Sequence, residues 1–265
     1  MEQRILEVCV DSVESAVNAQ AGGADRLEVC GDLIVGGVTP SLALYSCIRE
    51  RVDLPLHVLI RPRFGDFFYS EGEFEVLRRQ AEAFQKAGAD ALVMGCLRRD
   101  GCLDLDRMKE LMEIAGDTPV TLHRAFDMCG DQEEALAAAK ALGIRTILTS
   151  GGKASAREGM DVLKKLAEQA GGTEILAGAG IDAEAIRFLR AHTNLTSFHM
   201  SGKEIRQSGM EYRRPGVHMG LPGLSEYEIW RTDAEKVRAA KAALWEESGG
   251  KTGFGMNIQK TIFRT

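Results

Sequence analysis

Leu6-Glu7-Val8-Cys9 recurs as Leu27-Glu28-Val29-Cys30, 21 residues further along the chain. Each copy reads as a short buried strand. Side chains alternate along a strand, so the glutamate and the cysteine of each copy share one face. A glutamate on the inner face of a buried strand is costly unless it is paired. Its presence in two successive strands points to a polar site with two thiols at its rim. The offset leaves room for one helix and a return to a parallel strand, which is the spacing of a βα unit.

The same unit repeats outward from this pair. Strand-like runs occur at 5–10, 26–30, 56–61, 91–95, 120–124, 146–150, 174–177 and 197–201, with start-to-start spacings of 21 to 35 residues. Helical patterns lie between them at 73–87, 105–115, 132–142, 157–170 and 183–191, and a last helix is expected at 233–245. Gly22-Gly23-Ala24-Asp25, Gly88-Ala89-Asp90 and Gly143-Ile144-Arg145 stand where a helix ends and the chain turns back into the sheet. Eight alternating units predict a single (β/α)8 barrel. An open doubly wound sheet is the competing architecture, but no Gly-x-Gly-x-x-Gly turn follows the first strand. The barrel is expected to occupy residues 1–247. The connection Gly202 to Thr232 exceeds an ordinary joint, and residues 248–265 read as a flexible tail or an oligomer-swapped arm.

Composition narrows the class. The chain has 265 residues, 45% hydrophobic and 27% charged, with a net charge of -6 and a pI near 5.5. This is ordinary for a globular barrel, and the acidic balance argues against nucleic-acid or anionic-membrane partners. No apolar run of membrane-spanning length occurs, and no signal-peptide pattern precedes the first strand, so a cytoplasmic location is expected. The six cysteines contain no Cys-x-x-Cys pair. They fit reduced thiols rather than a disulfide framework or a structural zinc site.

In such a barrel the site lies at the carboxyl ends of the strands. There the sequence places Glu7, Cys9 and Asp11, then Glu28 and Cys30, then Arg61 and Arg63, then His123, Arg124 and Asp127, and finally His199. This crown is either a neutralised polar plug or a site for a small charged ligand. Cys9 and Cys30, on neighbouring strands, are candidate Cu(I) ligands because that ion favours thiolates. Barrel stagger or simple apolar packing is the alternative for them. His123 is the first candidate for acid–base work. His57, His192 and His218 are expected to be structural or solvated. Gly178, Gly180 and Gly202 can admit an anion close to the backbone, or can serve turns alone.

Taken together, Glu7-Val8-Cys9-Val10-Asp11-Ser12, Glu28-Val29-Cys30, Gly36-Gly37-Val38-Thr39-Pro40-Ser41, Ile60-Arg61-Pro62-Arg63 and Gly65-Asp66-Phe67 resemble the CutC copper homeostasis family. His123-Arg124-Ala125-Phe126-Asp127, Leu148-Thr149-Ser150-Gly151, Gly178-Ala179-Gly180-Ile181, Phe198-His199 and Ser208-Gly209-Met210 extend the resemblance in order over residues 5–245. It implies a cytoplasmic TIM barrel and Cu(I) binding through Cys9 and Cys30. One departure is Phe64, where the family loop carries glycine. A bulky residue does not adopt positive φ cheaply, so a reshaped loop with a displaced Asp66 is expected.

Three functions follow as expectations. The first is copper homeostasis through Cu(I) held by Cys9 and Cys30. The second is an enzyme acting on a small anionic or phosphorylated metabolite, with His123 as acid or base beside Glu7, Glu28, Arg61 and Arg124. The third is a scaffold assembled as a homodimer or a higher homo-oligomer.

Overall fold

Runs such as Leu6-Glu7-Val8 become strands because one face meets helices and the other a polar interior. In the computed structural model, which describes residues 4–246 except 218 and 222, eight parallel strands close into a barrel in sequence order. They are β1 (Ile5–Val10), β2 (Arg26–Val29), β3 (Leu56–Leu59), β4 (Ala91–Met94), β5 (Val120–Leu122), β6 (Thr146–Thr149), β7 (Glu174–Ala177) and β8 (Ser197–Met200). The helices are α1 (Val13–Ala21), α2 (Leu42–Arg49), α3 (Glu71–Lys86), α4 (Leu105–Ala115), α5 (Gln132–Ala141), α6 (Met160–Gln169), α7 (Ala183–His192) and α8 (Ala234–Trp245). This is the TIM barrel that the spacing predicts. His218 and residues 248–265 lie outside the described residues.

Local chemistry starts the helices. The side chains of Ser12, Ser41, Ser70, Asp104, Asp131, Asp182 and Asp233 each accept a backbone N–H of the first turn. A cap of this kind is worth about 1 kcal/mol. At Ser70 the cap is reciprocal, with Glu73 bonding back to the Ser70 N–H, and α3 therefore begins at Glu71. Gly88 and Gly143, at φ of +80° and +76°, turn the chain after α3 and α5, as their sequence context requires.

The apolar core lies between strands and helices. Leu6, Val8, Val10, Leu27, Val29, Val58 and Leu92 point outward and meet Leu77, Ala81, Leu111 and Leu163 of the helices, all fully buried. Each such leucine stabilises the fold by roughly 2 kcal/mol through burial. The opposite strand faces carry Glu7, Arg26, Glu28, His57, His123 and His199 into the barrel. Register aligns them: Glu7 lies opposite both Arg26 and His199, and Glu28 lies opposite both Cys9 and His57.

The connection after β8 is more than a loop. β9 (Lys203–Gln207) and β10 (Glu228–Thr232) pair as an antiparallel hairpin. Most of their side chains are exposed and half are charged, which masks the strand signal in the sequence. The hairpin is moored to α1: Thr232 N–H donates to Ser15 Oγ at 3.1 Å, and Asn18 donates to the Thr232 carbonyl at 2.9 Å. Among the described residues no helix is long and apolar enough to cross a membrane.

Candidate functional site

Charge pairing begins deep in the barrel. Glu7 is almost fully buried. Its carboxylate accepts from Arg26 Nε at 2.5 Å, bonds His199 Nδ1 at 2.7 Å and lies 3.4 Å from His57 Nδ1. Burial pushes this carboxyl up, but Arg26 and the two imidazoles outweigh it and hold Glu7 well below its ordinary range. Arg26 also reaches Glu174 at 3.2 Å, and Glu174 accepts the hydroxyls of Thr146 and Ser197 at 2.8 and 2.5 Å. The polar interior is thus a connected network, which is how buried charge is tolerated.

Above it stands a second group. One donor atom each of Cys9, Glu28 and His199 lies within 4.8 Å of the others. Glu7 takes the Nδ1 side of His199, so Nε2 faces the group, 3.7 Å from Glu28. A carboxylate behind an imidazole in this way fixes a histidine's tautomer and ring orientation at a metal site. Cys9 Sγ donates to the Met200 carbonyl at 3.5 Å. Cys30 falls outside the group. Cys9 is in register with Glu28, so Cys30 sits two positions further along, where its thiol donates to Glu28 at 3.4 Å. Burial, and then the Glu28 charge, push the Cys30 thiol well above its ordinary value. Burial and the nearby Glu7 raise Glu28, even against the pull of His199. For His199, burial lowers the pKa, but Cys9, Glu7 and Glu28 together raise it well above the ordinary imidazole value.

His123 is placed differently from the acid–base role expected of it. It lies 4% exposed at the end of β5. Its Nδ1 accepts the Ala125 backbone N–H at 3.2 Å, which puts the ring proton on Nε2. Burial, helped by the Arg61 charge, lowers its pKa to about 3. His123 is therefore a neutral hydrogen-bond donor near neutrality and holds no free lone pair for general base catalysis. Its ring centroid stands 4.7 Å from that of Phe67, and the Arg61 guanidinium covers Phe67 at 4.9 Å. Arg61 donates to the carbonyls of Gly36, Gly37 and Gly65 at 3.3, 3.0 and 2.6 Å. Arg124 is bound to Asp127 at 2.7 Å and to Ser150 at 3.0 Å. Asp127 in turn accepts from Thr149, Ser150 and Gly152, and so ties the turn after β5 to the loop after β6.

These groups open into one cavity of about 520 Å³, with Glu28, Arg61, His123, Arg124 and His199 in its wall and Arg231 of the hairpin at its rim. Glu7 and Cys30 lie outside that wall, behind it. Of the three glycines, Gly180 alone lines it. The Gly178 N–H is spent on the Thr149 carbonyl, and a Cβ there would meet Leu148 at 2.6 Å. Gly202, at φ +56°, packs instead against Val237 and Thr232. His57 joins the Glu7 network rather than solvent, and His192 caps the Phe188 carbonyl at 2.7 Å.

Phe64 does not take the positive φ that its place in the loop suggested; Gly65 does, at +93°. Phe64 is exposed, and Asp66 is held by Arg63 at 2.9 Å. Sequence reasoning missed Gly95, where a Cβ would stand 3.0 Å from the His123 ring. It also missed Arg26, whose place just before the second Leu-Glu-Val-Cys run is the only signal it gives, and the Lys203–Thr232 hairpin.

A closed TIM barrel with a buried thiol–imidazole–carboxylate group at its mouth defines the class of protein. The CutC family profile matches residues 4–204. The human copper homeostasis protein cutC homolog is 44% identical over 240 residues, covering 90% of this chain and 88% of the human one. A CutC family protein of Xanthomonas axonopodis pv. citri is 48% identical over 201 residues, 76% of this chain and 84% of its own. The crystal structure of a CutC from Streptococcus agalactiae superposes with a TM-score of 0.70 at 27% identity, covering 75% of this chain and 99% of that one. The chain belongs to the CutC family of copper homeostasis proteins. A 4-hydroxy-2-oxoglutarate aldolase, at 19% identity and a TM-score of 0.52, shares the barrel fold alone.

Proposed function

We propose that this protein serves copper homeostasis by binding Cu(I) as cargo at the barrel mouth, in the reducing cytoplasm. Cys9 and His199 are the ligands, with Glu28 beside them. The proximity of these three donor atoms carries the reading, together with the Glu7 hydrogen bond that aims His199 Nε2 at the other two. Sulfur and imidazole suit copper, whereas the carboxylate is a harder donor and serves better as a charge partner or proton acceptor. Cys30, one hydrogen bond behind Glu28, is a reserve thiol; like the Cys9 thiol and the His199 imidazole, it must give up its proton to ligate. All six cysteines are free, in keeping with a reducing compartment.

Anaerobic Cu(I) titration against a chromophoric chelator tests this. Cys9→Ser and His199→Leu are each expected to weaken binding by roughly two orders of magnitude, and Cys30→Ser by less than about tenfold. Unchanged affinity in both Cys9→Ser and His199→Leu rejects the site. Equal losses in Cys9→Ser and Cys30→Ser restore the paired-thiolate arrangement.

A further inference from the structure

The copper reading leaves the other half of the cavity unused, and its chemistry is of the opposite sign. His123 Nε2 is buried, carries the ring proton, and has no hydrogen-bond partner among the described residues. A buried donor left unsatisfied costs about 1–3 kcal/mol. Arg61 is 8% exposed. Its guanidinium bonds neutral carbonyl oxygens and lies beside the neutral Tyr69 hydroxyl, and among the described residues it has no carboxylate in salt-bridge range. The buried polar groups below are paired with one another, as in Glu7 with Arg26. A buried cation and a buried N–H donor, both packed against Phe67 and both in the cavity wall, instead have no anionic partner among the described residues.

The arrangement is built rather than incidental. Gly95 has no side chain, and only that lets the His123 ring lie where it does. The Ala125 N–H fixes which nitrogen carries the proton. Gly36, Gly37 and Gly65 grip Arg61 from two separate loops.

We propose that the cavity has a second, anionic subsite, in which one oxygen of a small oxyanion ligand accepts the His123 Nε2–H in the field of the Arg61 guanidinium. A carboxylate and a phosphate share this chemistry. The ligand is held by donors that carry no exchangeable charge change near neutrality, so the subsite binds and orients without proton transfer. It is independent of copper.

Long-range ¹H–¹⁵N spectra of histidine-labelled, metal-free protein report on His123 Nε2 directly. Titrating sodium acetate and, separately, inorganic phosphate at constant ionic strength is expected to shift that resonance saturably with one of them. Acetate alone identifies a carboxylate ligand, and phosphate alone a phosphate. His123→Phe keeps the ring but removes the donor, and is expected to weaken binding at least about tenfold. His123→Gln supplies a neutral N–H and should stay within about threefold. No response of the wild-type resonance to either anion overturns the subsite, as does full affinity in His123→Phe. The wild-type titration decides even if a variant does not fold. Because no metal is present, a failed copper titration leaves this result standing, and the reverse holds equally.

Discussion

His199 Nδ1 lies 2.7 Å from a Glu7 carboxylate oxygen, the two residues being direct register partners on β8 and β1, the strands that close the barrel. Ring closure and site assembly are thus one event. The same contact aims Nε2 at Cys9 and Glu28, so it couples the buried charge network to the mouth.

Replacing Glu7 by Gln removes the anion that Arg26 and His199 share. Breaking a buried pair by neutralising one partner costs about 3–5 kcal/mol; here the remaining Glu174 contact keeps the loss toward the lower end. Urea denaturation measures it. Copper affinity is expected to fall roughly 10–100-fold as His199 loses its orienting partner, read by the same chelator competition.

The neutral, buried His123 makes stability depend on pH in a known direction. Its folded pKa of about 3 lies below the unfolded value near 6.5. Between these values the unfolded chain takes up a proton that the folded protein does not. Stability is therefore lost as pH falls below 6.5, by roughly 2 kcal/mol at pH 5. Subtracting the denaturation profile of His123→Phe from the wild type isolates this contribution. A flat difference between pH 7 and 5 contradicts the neutral-donor assignment.

Gly95→Ala introduces a methyl group 3.0 Å from the His123 ring and 2.8 Å from Leu122. Overpacking of this kind costs about 1–3 kcal/mol. The ring must move, so the His123 resonances should shift while those of His199 and His57 stay in place.

Asp127→Ala leaves the Ser150 and Gly152 N–H groups and the Thr149 hydroxyl without their acceptor. A destabilisation of about 3 kcal/mol is expected. Hydrogen exchange should rise at Ser150 and Gly152, with the β1–β2 ladder unaffected.

The fold was legible because its signals are local. Seven of the eight helix starts among the described residues have a Ser or Asp cap, joints such as those after α3 and α5 carry a glycine, and strands such as β1 and β2 alternate Leu or Val with something polar. The hairpin at 203–232 was not, since Lys203, Glu204, Arg206 and Arg231 interrupt any apolar alternation along its strands. Much of the site was equally visible: Cys9, Glu28 and His199 lie toward the carboxyl ends of their strands, where a barrel gathers its chemistry, and Glu7 shares the inner face of β1 with Cys9.

What residue order could not decide was partnership. Cys9 and Cys30 look equivalent in two identical tetrapeptides, yet strand stagger sets Cys9 level with Glu28 and places Cys30 one step beyond, so one joins the imidazole and the other backs the carboxylate. His123 reads as a base by residue type, yet a backbone N–H from Ala125 occupies its lone pair and burial keeps it neutral. Residue types and their spacing carry periodicity and capping, which are properties of neighbours in the chain. Protonation and ligation depend on distances of a few ångströms between strands far apart in sequence, and those exist only once the barrel has closed.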